Sequence, residues 1–175
     1  MVFDFPGVMT EFAKIEPGEF FIFFDEGRRA FAMKIFDASV EQVTSSQKKM
    51  GVLSFSLAVH PSMTPPTVLN VERFQNRDVC VLRDVVIRPP FDITELRNGS
   101  PSEGAPGPIM IASDGVFIRA SPIQGQKTID VDLHTGAAGA SFAHPGGIWV
   151  DDWKIVLVGR SGETVLCERG KPAAS

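Results

Sequence analysis

The stretch from Gly18 to Phe36, GEFFIFFDEGRRAFAMKIF, sets the narrowest limits on how this chain can fold. Phe20-Phe21-Ile22-Phe23-Phe24 is apolar at every position, so a strand here needs cover on both faces. The return, Ala30 to Phe36, alternates. Phe31, Met33 and Ile35 fall on one face, and Ala30, Ala32 and Lys34 on the other. Between the runs, Asp25-Glu26-Gly27-Arg28 supplies a turn closed by a glycine free to adopt the left-handed conformation. Burying one Phe contributes about 1.5–3 kcal/mol, so the phenylalanines of this one short strand can anchor a core.

The rest of the chain reads as further strands. Val8 to Ile15 suits an edge strand entering Pro17-Gly18, and Asp37 to Gly51 at most one short helix, with Ser39 and Gln42 at capping-box spacing. Val52 to Val59 alternates, His60 to Pro66 is a proline-stiffened loop, and Val68 to Phe74 suits another strand. Asp78 to Arg88, DVCVLRDVVIR, reads as one long strand with a bulge at Arg83-Asp84, where the alternation slips. Pro108–Ala112 and Val116–Ala120 make a hairpin about Ser113-Asp114-Gly115, and Thr128 to His134 alternates again. Ile148–Val150 and Trp153–Val158 suggest a further hairpin about Asp151-Asp152, with a last strand from Thr164 to Glu168. Units led by Pro17, Pro108 and Pro145 share a layout, but their irregular spacing does not argue for duplication.

About ten short strands without a long amphipathic helix argue for an all-β fold. The expectation is a single domain over residues 1–175, an antiparallel β-sandwich or β-barrel with one or two short helices at most. Long surface loops are expected near 89–107 and 135–147, where Gly, Pro, Ser and Ala dominate.

Fourteen Phe, two Trp and no Tyr favour a dry interior or an apolar pocket over a polar recognition surface. The net charge of −4 is spread evenly, and Arg73, Arg77, Arg83 and Arg88 are interleaved with Glu72, Asp78 and Asp84. That pattern argues against a nucleic-acid partner. No run approaches the roughly 18 apolar residues of a membrane span, and the first residues carry no signal-peptide pattern. A cytoplasmic protein with free thiols at Cys80 and Cys167 is the expectation.

The sharpest chemical grouping is Asp130, Asp132 and His134, which share a face if residues 128–134 form a strand. His144 follows after a loop that could fold back, and the four together would suit Zn²⁺ or Fe²⁺. A half-exposed strand shows the same alternation, and no HxH or HExxH spacing sharpens the case; no other cofactor is expected. A nucleophile is missing: GxSxG does not occur, and both cysteines lie in apolar runs that raise a thiol pKa. Gly136–Ala140 lacks the Lys-Ser/Thr of a phosphate loop. His60, at the head of the stiff loop, and Trp149 and Trp153 are the candidate contacts for a ligand or partner. Ranked, these features favour a non-enzymatic β-domain that binds a protein partner or forms a homo-oligomer. An apolar small-ligand-binding barrel comes second, and a metal-dependent enzyme using the Asp/His set comes third.

Overall fold

The computed structural model describes residues 7–25, 27–38, 50–55, 66–88, 97–98, 106–122, 128–139 and 147–169. It is built of strands. In the first half these are β1 (Gly7–Glu11), β2 (Phe20–Asp25), β3 (Arg28–Asp37), β4 (Met50–Ser54), β5 (Thr67–Asn70), β6 (Asp78–Leu82) and β7 (Val85–Arg88). In the second they are β8 (Arg97–Asn98), β9 (Ile109–Ala112), β10 (Gly115–Pro122), β11 (Ile129–Asp132), β12 (Ala137–Gly139), β13 (Ile148–Val150), β14 (Trp153–Gly159) and β15 (Gly162–Arg169). Single 3₁₀ turns follow β1 and β5, at Phe12–Lys14 and Val71–Arg73. Among the described residues, no helix is long and apolar enough to cross a membrane. The all-β reading holds.

A 12-stranded sheet and a 3-stranded sheet, β15-β14-β7, account for these strands. Within the larger sheet, β3-β4-β5-β10-β11-β12 close on themselves as a ring. Two parallel pairings make the closure, β5 with β10 and β12 with β3, while the remaining pairs are antiparallel.

The pairing plan occurs twice. β2–β3 and β9–β10 are hairpins, each continuing into a meander, β3-β4-β5 and β10-β11-β12. Each hairpin's first strand also pairs with the sixth strand of its set, β2 with β6 and β9 with β13. The first strands, β1 and β8, add outside β6 and β13. The seventh strands, β7 and β14, pair with each other and set Ile87 opposite Ile155. Such reciprocity is the mark of a two-fold relation between β1–β7 and β8–β14. The hydrogen bonds repeat it. Gly18 N–H donates to Lys34 O (2.8 Å) as Gly107 N–H donates to Arg119 O (2.7 Å), and Phe36 N–H reaches Gly136 O (2.9 Å) as Ser121 N–H reaches Pro66 O (2.8 Å). Register then assigns counterparts: Phe20 and Ile109, Phe31 and Val116, Lys34 and Arg119, Val52 and Asp130.

The pleat sorts the side chains into layers. Phe31, Met33, Ile35, Leu53, Ile118, Ala120, Val131 and Ala138 point into the ring and fill it, joined by Ile155, Leu157 and Cys167 of the smaller sheet. The alternate residues face outward. In the first half, Phe21, Ala32 and Val52 pack under Phe12, Phe74 and Val79. In the second, Met110 and Phe117 pack under Trp149. The opening hairpin therefore buries both faces as its composition requires, except at Phe24, which is 68% exposed.

Several local expectations change. The strands expected over Val8–Ile15 and Val68–Phe74 stop at Glu11 and Asn70, where the chain tightens into the 3₁₀ turns Phe12–Lys14 and Val71–Arg73. Residues 78–88 are two strands in different sheets, because Asp84 takes a positive φ of 59° and turns the chain across the barrel end. Val79 and Val81 thus belong to the outer layer, while Val85 and Ile87 pack on the ring's interior cluster. β13 and β14 part in the same way at Asp151-Asp152 instead of forming a hairpin. Within the Gly/Ala-rich segment expected to be loop, Ala137–Gly139 is the strand β12 that closes the ring. The expected helix at 37–51 lies mostly outside the described residues, as do most of the loops at 89–107 and 135–147.

The β12–β3 closure depends on two glycines. A Cβ at Gly136 (φ +74°) would stand 2.5 Å from Gly18 N and 2.7 Å from Lys34 O; one at Gly18 (φ +91°) would stand 2.6 Å from His134 O. Gly27 has a similar φ of +75°, but a Cβ there meets nothing within 4 Å. Left-handed backbone costs a non-glycine residue about 1–2 kcal/mol and overpacking about 1–3 kcal/mol. In urea melts, Gly136→Ala should therefore lose about 2–5 kcal/mol and Gly27→Ala about 1–2 kcal/mol.

Candidate functional site

On the outer face of the second half, β10 sets Arg119 directly opposite Asp130 of β11. The guanidinium grips the carboxylate with both arms, Nε to Oδ1 at 2.9 Å and Nη2 to Oδ2 at 3.3 Å. Asp130 is 1% exposed and Arg119 8%. The Trp149 indole covers the guanidinium at 4.5 Å, a cation–π contact made from β13. The first half has a cation in the corresponding place. Lys34 sends Nζ to Ile15 O (2.5 Å) and Phe12 O (3.4 Å), with the Phe12 ring 4.9 Å away. Burial draws the Lys34 ammonium below the ordinary lysine value, and Glu16 and Glu19 partly oppose it. Each half thus ties its outer layer to the barrel through one buried cation and one aromatic roof. The chemistry of these groups is that of a clasp.

Asp132 shares the Asp130 face, but its carboxylate is engaged at the end of the strand. Oδ1 accepts the His134 N–H (2.8 Å) and the Thr135 N–H (3.3 Å), and Oδ2 accepts the Thr135 hydroxyl (2.7 Å). β11 ends at Asp132, so His134 lies in the following turn, exposed, instead of continuing the strand face. Val131 and Leu133 point into the core as their alternation requires. Among the described residues, no group of three His, Cys, Asp or Glu side chains is gathered as a metal site. His144 and His60 lie outside the described residues.

The two tryptophans are both buried, Trp149 over Arg119 and Trp153 at the end of the barrel. Trp153 donates its indole N–H to Gly107 O (2.8 Å) and meets Phe55 edge-on with centroids 6.5 Å apart. It also walls an apolar cavity of about 70 Å³ lined by Ile87, Ile109, Ile111, Val116, Val150 and Trp153. This space lies beside the buried cluster that fills the ring.

The edge strand expected from Val8 onward is present as far as Glu11. β1 is the end strand of the larger sheet, with Val8 51% and Met9 66% exposed. By register, Met9 and Cys80 lie on the sheet face that carries Ile22 and the exposed Phe24. The signal was present in the residues: GVMTE offers one charge in five positions, too little to guard an edge. Burial makes both thiols poor nucleophiles. Burial, and secondarily Glu168, pushes Cys167 up to about 12, while its S–H reaches Phe55 O at 3.5 Å; burial also raises Cys80. Their strands belong to different sheets and both cysteines are free.

Matched against protein-family models, curated proteins and solved structures, the chain finds no counterpart in any of the three.

Two outcomes follow from this geometry. Removing one member of a buried ion pair costs about 3–5 kcal/mol, whereas replacing both with apolar groups is often neutral. Asp130→Ala should show that loss in urea melts, and the Arg119→Met/Asp130→Leu pair should recover most of it. With a thiol-specific reagent, the native chain should react slowly at half-buried Cys80 and not at Cys167, and denaturation should release both.

Proposed function

We propose that the chain is a non-enzymatic binding domain that assembles with a second copy of itself by strand addition at β1. The observation that carries this reading is a terminal strand that exposes one large apolar side chain on each face, Val8 and Met9, and carries a single charge, Glu11. Val8 is 51% exposed, and Met9, at 66%, faces the same way as Phe24, at 68%. Free edges are normally guarded by Lys, Pro, bulges or inward charges, and β1 has no Lys or Pro.

A second copy fits this edge on grounds of register and charge. Antiparallel pairing centred on Met9 sets Met9 against Met9, Val8 against Thr10, and Gly7 against Glu11. The one carboxylate then faces a glycine, and its near charge is its own Lys14, 2.8 Å away. No like charges meet across the new seam, although Glu11 lies opposite Asp78 within its own sheet. The end strand β15 of the smaller sheet contrasts with it. That strand carries Glu163, Glu168 and Arg169, and Glu163 and Glu168 pair with Arg88 and Lys154. Main-chain bonds would supply affinity and the alternate side chains specificity, as in strand addition generally.

Light scattering at rising micromolar concentration tests the reading. The chain should pass from the mass of one copy to that of two. Met9→Lys should hold it at one copy, and Val165→Lys on the far edge should leave dimerisation as it was. A single-copy mass throughout, or a dimer that survives Met9→Lys, contradicts the proposal.

A further inference from the structure

We propose that the apolar cavity between β7, β9, β10, β13 and β14 is a binding site for one aromatic ring of a small uncharged organic molecule. The inference is independent of assembly at β1. It rests on the two-fold pairing plan, which supplies for every lining residue a counterpart, and on three aromatic rings that pack together on the counterpart side.

Register makes Phe20 the counterpart of Ile109, Ile22 of Ile111, Phe31 of Val116 and Leu82 of Val150. Ile87 and Ile155 are counterparts that pair with each other. In the first half, the rings of Phe20 and Phe31 lie stacked, with centroids 5.4 Å apart and planes within 8°. Phe55 leans on both, at 5.9 and 5.2 Å. In the second half those three rings are replaced by Ile109, Val116 and Leu133. The last is matched to Phe55 by its N–H bond to Val116 O, as Phe55 N–H bonds to Phe31 O. The backbone keeps the space that the stacked pair needs, and the side chains no longer fill it.

One exchange runs the other way, Val85 to Trp153. It does not close the gap, because the indole N–H is held by Gly107 O and the ring stands as a wall. What remains is an open-sided slot of about 70 Å³ walled by aliphatic carbon and one indole. A closed apolar cavity of about 150 Å³ stays dry and admits benzene. This slot is smaller but open on one side, so a ring can enter with its far edge at the mouth. The wall offers no charge and its one polar hydrogen is already engaged, which selects an uncharged ring. The stacked phenylalanines of the other half show the shape such a ring would take, flat and against the aliphatic wall.

The test uses the full chain, with toluene as the probe and the ¹³C-methyl resonances of Ile87, Ile109, Ile111, Val116 and Val150 as the readout. Saturable shifts confined to these methyls support the site; shifts that never saturate, or that saturate elsewhere, overturn it. Methylcyclohexane, as apolar but not flat, should bind about tenfold more weakly, or about 1.4 kcal/mol, and equal binding overturns the aromatic preference. The Ile109→Phe/Val116→Phe variant restores the stack in the second half. It should keep the circular dichroism of the parent, melt at a higher temperature and lose the saturable response; a retained response contradicts the proposal. Should the double variant fail to fold, Val116→Phe alone serves, read by the same methyl shifts.

Discussion

Everything in this fold hangs on two short parallel contacts. β5 meets β10, and β12 meets β3, through a few residues each. Without them, each half is an open, curled sheet with an exposed apolar face. With them, two three-strand meanders become a closed ring whose interior is shared. Phe31, Met33 and Leu53 from one half face Ile118, Val131 and Leu133 from the other. Neither half holds a complete core, so closure and core formation are one event. The geometry leaves little tolerance at the second contact, where Gly18 and Gly136 approach too closely for any side chain.

The two-fold plan also explains where the halves differ. Both place a long cation at the same outward position of the ring and roof it with an aromatic ring. One satisfies it with backbone carbonyls and the other with a buried carboxylate. Both turn out of the barrel after the sixth strand, so that the seventh strands meet on the axis. The phenylalanines are shared unequally. Phe12, Phe21, Phe23 and Phe74 pack as a cluster outside the first half, and Phe20, Phe31 and Phe55 crowd its inner side. The second half meets the same backbone with Ile, Val and Leu, and a cavity is the physical result.

The elements with a strong side-chain pattern could be read from the residues alone. Uniformly apolar β2, alternating β3, the β9–β10 hairpin and the inward Val131 and Leu133 follow directly from pleat and burial. β12 could not be read that way. Ala-Ala-Gly has no alternation, and its strand character comes from partners far away in the chain. Residues 78–88 misled for a related reason. Alternation records which face is covered but not by which core, so a chain crossing between layers resembles a bulge. Asp130 looked exposed because its partner Arg119 belongs to another strand, and pairing across strands is invisible along one. The repeat left a trace in Pro17-Gly18 and Pro106-Gly107, which occupy matching positions. Unequal loops and the Phe-for-Ile exchanges erased the rest.

Native-state amide hydrogen exchange at Phe36 and Ser121 tests the closure most directly, because these two N–H groups donate across the two parallel contacts. If the ring closes as described, both should exchange through global unfolding, with one shared free energy that matches the denaturant-derived stability. Exchange of either amide through a low-energy local opening, while Met33 and Ile118 stay protected, would mean that the ring is open in solution and would contradict the account.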